Sequence, residues 1–281
     1  MENDSYEYFE LPEPNSKELN CYWKTAIGLQ EIDGLKSSDF LISTAEENIK
    51  GNLSLQEAKK RIDEYYGLKK NHSEEARTEE ADKVALRITE MLSERAFSLS
   101  PVEFISIHKR LFEGIYDFAG EFRTQNIGKK EWVLNNDTVI YSRFYNINNE
   151  LNYEFNSERN FNYTGLELNE KIKLMINFIS NLWRIHPFAE GNTRTTAVFT
   201  IQYLRFWGHE ITSDSFAKSS LYFRNALVRA NYTNDNLGIS ATKEYLGKFF
   251  ENLLNQGSHA LGNQDLHINK QQNQDVLRCA Y

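Results

Sequence analysis

The stretch His186-Pro187-Phe188-Ala189-Glu190-Gly191-Asn192-Thr193-Arg194 separates two strongly apolar helical segments. Upstream, residues 166–185 carry Ile172, Leu174, Met175, Phe178, Ile179, Leu182 and Trp183 on more than one helical face. That distribution predicts a central helix surrounded by others. Pro187 disfavours helical geometry at His186, so the helix should end there. Gly191 permits a tight turn, and Asn192 or Thr193 is placed to cap the helix that follows. That next helix should run to about Trp207, with Ala197, Val198, Ile201 and Leu204 facing inward.

The same nine residues hold the parts of a phosphate site. A helix start with unpaired N–H groups attracts anions, and Arg194 offers a guanidinium suited to paired phosphate contacts. Glu190 brings a carboxylate of the kind that holds Mg²⁺ beside phosphates. His186 stands at the helix terminus, where an imidazole can act as general base on a hydroxyl. A helix–Pro–Gly–helix connection is common, and a lone His there usually only forms a local hydrogen bond. The coincidence of base, metal ligand, anion cradle and cationic clamp favours a site over that plainer reading. The four-residue spacing of His186 and Glu190 does not make a helical metal pair, because Pro187 and Gly191 break the helix between them.

Composition narrows the class. The chain has 281 residues with 18 Phe, 15 Tyr and 4 Trp, enough to bury a substantial core. Its net charge of −8 argues against nucleic-acid binding through a broad basic face. The only cysteines, Cys21 and Cys279, lie near opposite ends and read as two unrelated thiols in a reducing compartment. The acidic start has no apolar signal-peptide core and no stretch suits a membrane span, so a cytoplasmic protein without membrane contact is expected.

Four Pro and few alternating patterns point to an all-α chain. Residues 1–16 read as an exposed tail. Residues 17–66 should form a small helical unit, in which Ser54 and Glu57 make a capping box. Residues 67–80 look solvated and lead into a helix over about 80–98. Ser100-Pro101 opens another helix with Phe104, Ile107, Leu111 and Ile115 inward. WVLNNDTVIY, around Asn135-Asn136-Asp137, suggests one short β-hairpin. Further helices are expected near 142–157, 219–231 and 240–254, followed by a loosely ordered tail over 255–281.

HPFAEGNTR is similar to the motif HxFx(D/E)GN(G/K)RxxR of the Fic (Fido) family. LFEGIYDFAGEFRTQNI upstream and SSLYFRNALVRANY downstream resemble further family segments, so the likeness covers about 100–250. The resemblance implies a helical bundle with a β-hairpin flap. It also implies transfer of AMP from ATP to a protein hydroxyl, with His186 as the base. Glu190 would hold Mg²⁺, Gly191, Asn192 and Thr193 would line the anion hole, and Arg194 would contact phosphate. A protein target would dock on the flap near 126–141, and self-association is compatible with this arrangement. The implied organisation is a regulatory extension at 1–66, a connecting segment at 67–99, a catalytic domain at 100–254 and the tail.

Two positions depart from the motif. Thr193 replaces Gly or Lys, and Ala197 stands where a second Arg is usual. The missing Arg leaves removal of AMP, or use of another nucleotide, open as alternatives. A non-catalytic nucleotide-binding module is a third. Family members are restrained by a helix carrying (S/T)xxxE(G/N), which Ser43, Glu47 and Asn48 fit. A second register, matching Gly51, would put Lys50 in the acid's place.

Overall fold

A computed structural model describes residues 13–68, 73–209, 211, 215–254 and 257–269, the side chains of 73–75 excepted. The expectations for residues 1–12, for 270–281 and for Cys279 lie outside these. Ten α-helices occur among the described residues, with no sheet: α1 (Ser16–Gly28), α2 (Asp39–Ile49), α3 (Leu55–Gly67), α4 (Ser73–Ser93), α5 (Pro101–Phe112), α6 (Ile147–Asn160), α7 (Leu168–Ile185), α8 (Asn192–Phe206), α9 (Ser215–Ala230) and α10 (Glu244–Leu253). The all-α reading holds. None of these helices is long and apolar enough to cross a membrane.

Local chemistry sets several boundaries. Ser54 and Glu57 form the expected capping box, and Ser100 caps α5 with Pro101 at its first position. α8 is the middle of the molecule. Every residue from Asn192 to Leu204 is buried, because α4 and α5 pack on one side and α7 on the other. α4 starts earlier than the expected 80 and ends by Ser93. Ala81, Val84, Ala85, Leu86 and Ile88 are buried, so it packs as a core helix.

The N-terminal helices join the same core. α1 crosses α9 so closely that a Cβ on Gly28 would fall 2.5 Å from the Ala217 carbonyl oxygen. Ser220 donates to the Gly28 carbonyl at 2.6 Å, beside the kink of α9 at Ser219. A 3₁₀ turn over Leu29–Asp33 buries Leu29, Gln30 and Ile32 and ends at Gly34 in left-handed geometry. This turn carries Gln30 and Asp33 against α8.

The expected hairpin is reduced to one antiparallel bridge, Glu131 to Asp137. Three residues, Trp132–Leu134, wind into a 3₁₀ turn, and Asn135 and Asn136 both take positive φ. Val133 and Leu134 are both in the core, and burying two consecutive side chains is incompatible with strand alternation. Beyond the bridge, the Thr138 hydroxyl accepts the Lys129 N–H at 3.0 Å in place of a backbone rung. At the other end of the chain, Leu266 and Ile268 are buried, so 257–269 is docked on the body instead of loosely ordered.

Candidate active site

His186 ends α7 in left-handed geometry, φ 50° and ψ 59°. Such a conformation costs a non-glycine residue roughly 1–2 kcal/mol, and several contacts offset it. The imidazole Nδ1 lies 3.2 Å from the Trp183 carbonyl oxygen. A carbonyl only accepts, so Nδ1 carries the proton and Nε2 keeps its lone pair. Tyr141 stacks on the ring at 4.0 Å. Arg123 holds the backbone below: Nε donates to the His186 carbonyl at 2.8 Å, and Nη1 and Nη2 donate to the carbonyls of Gln125 and Ser142. Its own N–H donates to the Pro187 carbonyl at 2.9 Å. Burial pushes the His186 imidazole down to about 3, against the opposing pull of the Trp183 carbonyl.

The loop is fastened from within. Asn192 Oδ1 accepts the Phe188 N–H and Nδ2 donates to the Phe188 carbonyl, both at 2.9 Å. Thr193 Oγ1 accepts from Trp183 Nε1 at 2.9 Å. Neither side chain caps α8, contrary to expectation; Gly191 holds the cap position at φ 76° with no side-chain cap. The N–H groups of Asn192, Thr193 and Arg194 therefore have no protein acceptor among the described residues. They remain open to a ligand, as a helix start with unmet donors does.

Gly191 is required on two counts. It sits in the left-handed region, and a Cβ there would lie 2.4 Å from Phe112 Cε2. Gly191→Ala should cost about 2–5 kcal/mol, combining left-handed strain with overpacking. A chemical-denaturation midpoint unchanged by the substitution would contradict this.

His108 was not singled out from the sequence, and it pins the loop. Its Nδ1 accepts the Gly120 N–H at 2.9 Å, and its Nε2 faces the Glu190 carbonyl at 3.1 Å. The ring also stacks on Phe188 at 3.7 Å. Burial lowers its pKa to about 4, with the Glu190 carbonyl opposing. Below pH ~6.5 the unfolded chain protonates both histidines while the fold keeps them neutral. The unfolded state then binds more protons, so stability falls as pH drops from ~6.5 toward 4 and is intact above ~6.5. Urea midpoints at about pH 7.5 and about pH 5 should show a larger loss for the wild type than for His108→Gln. Equal losses would remove His108 from that account.

A cavity of about 270 Å³ opens here, lined by His186, Glu190 to Thr193, Tyr141, Trp183, Lys129, Glu131, Arg224 and Asp33 among others. The Glu190 carboxylate is half-exposed at its edge, 3.7 Å from Lys129 Nζ, and Lys129 also approaches Asp33 at 3.8 Å. Glu131 is buried and held by Arg224 of α9 at 2.9 and 2.6 Å. Burial raises the Glu131 carboxyl while Arg224 opposes the rise.

Arg194 does not reach open space. It is fully buried over the Phe112 ring at 4.7 Å. Nη2 donates to Glu80 at 2.6 Å and to the Tyr116 hydroxyl at 3.1 Å, and Nη1 donates to Gln30 at 3.1 Å. Nε meets Asp33 Oδ2 at 2.8 Å as an ion contact without hydrogen-bond alignment. Burial disfavours the charge, but Asp33, Tyr116 and Glu80 outweigh it and hold the guanidinium above its ordinary value.

The expected inhibitory trio is elsewhere. Ser43 is exposed, Asn48 is buried under Trp23, and Glu47 accepts from Asn52 at 3.0 Å on the surface. None of the three lines the cavity. The acids that meet Arg194 are Asp33 and Glu80, and of these Asp33 also lines the cavity. Their sequence surroundings carry no periodic or motif signal, and only the crossing of α1 over α9 brings Asp33 there. Ala197, in place of the second Arg, is buried and also absent from the cavity wall.

A helical core presents a histidine-tipped helix, a locked turn and an open helix start at one cavity. Residues 98–204 match the model of the Fic/DOC family, and the chain contains a Fic/DOC family domain. It is 30% identical over 146 residues to protein adenylyltransferase VbhT of Bartonella schoenbuchensis, an alignment covering 52% of this chain and 29% of that protein. The chain thus spans under a third of that relative's length. Among solved structures, the N-terminal FIC domain of Bep8 from Bartonella sp. 1-1C superposes with a TM-score of 0.51 at 18% identity, over 66% of this chain and 87% of that one. That likeness speaks to the fold.

Proposed function

We propose that this protein is an autoregulated protein adenylyltransferase, transferring AMP from ATP to a hydroxyl side chain of a target protein. The observation that carries it is the pairing of His186, whose Nε2 is a free acceptor, with the unmet helix-start N–H groups of Asn192 and Thr193 at one cavity. The family domain and the adenylyltransferase relative support the same reading.

In the transfer, the target's hydroxyl oxygen attacks the α-phosphorus, the bond to the bridging oxygen breaks, and pyrophosphate leaves. His186 Nε2 takes the hydroxyl proton. The helix-start N–H groups donate to phosphate oxygens as charge builds there. The donor set at the cavity edge fits Mg²⁺: one half-exposed carboxylate, Glu190, with phosphates supplying further oxygens. Bound there, the ion would neutralise phosphate charge. An extended target segment can pair with the backbone of residues 128–130 and 138–140, which form no strand rung of their own beyond the single bridge.

The autoregulation rests on Asp33 and Glu80 holding Arg194. Asp33 also lines the cavity, whose volume of about 270 Å³ is smaller than the roughly 300–1,000 Å³ of typical ligand sites. Incubation with ATP labelled at the α-phosphate or the γ-phosphate tests the transfer on candidate proteins and on the chain itself. Incorporation of the α-label alone is expected. Incorporation of γ-label would replace AMP transfer with phosphoryl transfer, and no covalent label on any protein would favour a nucleotide-binding module.

A further inference from the structure

The segment 257–269 touches the flap turn and is itself rigidly seated. Leu266 and Ile268 are buried, and Arg229 Nη1 donates to the Leu266 carbonyl at 2.7 Å. Tyr245 donates to the Asp265 carbonyl at 2.9 Å, and Asn225 Nδ2 donates to Asn263 Oδ1 at 2.8 Å. With 266 and 268 inward, the alternate residues His267 and Asn269 face out. Both meet the flap: Asn135 Nδ2 donates to Asn269 Oδ1 at 2.7 Å, Asn269 Nδ2 returns a bond at 3.3 Å, and Trp132 packs edge-on against His267 at 5.1 Å.

The flap needs this help because its own backbone does little to hold it. Its ladder is the single Glu131–Asp137 bridge, and a two-stranded ribbon is marginal even when complete. The inner side is fixed by Val133, Leu134 and the Glu131–Arg224 pair, and Tyr232 donates to Asp137 at 2.7 Å. The outer side of the turn, at Trp132 and Asn135, has the C-terminal segment as its clasp.

We infer that residues 257–269 are a strap, and that His267 and Asn269 are positioning residues that hold the flap in the form that accepts a target segment. The inference rests on the flap being the docking edge proposed above. Ordering the edge in advance removes conformational entropy that binding would otherwise cost. Among the described residues, the hydrogen bonds given above for the strap go to Asn135, Asn225, Arg229 and Tyr245, none of which lines the cavity, so its loss should act on the target side.

Backbone hydrogen exchange over 128–140 tests the strap without any target or nucleotide. Asn269→Ala and His267→Ala should each raise exchange there by about three-fold or more. Asn135→Gly, which keeps the left-handed geometry at that position, combined with Asn269→Ala should give no more than Asn135→Gly alone, because both remove one contact. Unchanged exchange in both single variants overturns the strap. With the acceptor protein found by α-label incorporation, Asn269→Ala should raise KM for the acceptor by about three- to ten-fold. KM for ATP and kcat should stay unchanged. An unchanged acceptor KM, or a faster reaction, overturns the positioning role even if exchange rises. Absence of any transfer in the wild type would defeat the proposed activity while leaving the exchange result to decide the strap.

Discussion

His186→Ala should lower AMP transfer by about a hundred- to ten-thousand-fold, the usual contribution of a positioned general base. The Trp183 carbonyl can only accept and therefore fixes the proton on Nδ1. Nε2 is left with its lone pair on a side chain that lines the cavity. Burial holds the imidazole at about 3, so it is unprotonated throughout the neutral range. The acid limb of kcat/KM for ATP, which reports the free enzyme, should consequently not appear near the ordinary histidine value of ~6.5. A base this weak takes a proton poorly. The negative charge of bound polyphosphate favours the imidazolium and should raise the pKa toward the working range. Initial rates of α-label incorporation in wild type and His186→Ala decide the point. Equal rates would remove His186 from the chemistry. Nuclear magnetic resonance titration of the ring with and without ATP should show the upward shift on binding.

The second large effect is expected at Asp33. Asp33→Ala should raise affinity for ATP by at least about ten-fold and increase self-modification, because the acid both occupies Arg194 and repels phosphate from the cavity. At an effective dielectric of ~20, a carboxylate 4 Å from a phosphate charge costs about 4 kcal/mol, well above that ten-fold gain. The variant should still fold. Arg194 keeps Glu80, Gln30 and Tyr116, so no buried charge is stranded. Glu47→Ala is the control and should change neither quantity, since Glu47 sits on the surface against Asn52 and Lys50. Calorimetric titration with ATP and Mg²⁺, beside intact-mass measurement of self-modification, reads both. A weaker affinity in Asp33→Ala would make the contact a plain structural ion pair. An effect at Glu47 instead would restore the (S/T)xxxE(G/N) reading.

Much of the fold was legible because it rests on local chemistry. Periodic apolar residues in 166–185 and 192–207 marked α7 and α8. Ser54 with Glu57, and Ser100 with Pro101, marked two helix starts. The flap was harder. Asn135-Asn136-Asp137 correctly placed a turn, but β-branched neighbours suggested strands where Val133 and Leu134 both go into the core. Tertiary burial overrode the local strand preference there. The C-terminal segment misled for the opposite reason. Its composition is polar, yet two apolar residues, Leu266 and Ile268, are enough to dock it.

By itself, the nine-residue run from His186 to Arg194 picked out the turn at which the candidate site is proposed. Proline, glycine and a helix start act within a few bonds, and their consequences do not depend on distant partners. The side-chain roles around that turn were decided only by tertiary structure. Asn192 and Thr193 turned inward to fasten the loop, and Arg194 met acids 114 and more residues away in the chain. Which acid faces a buried arginine depends on how α1 crosses α9, a packing outcome with no local signature. Glu47 had the expected pattern and lies away from the cavity; Asp33 had no pattern and lies on its wall.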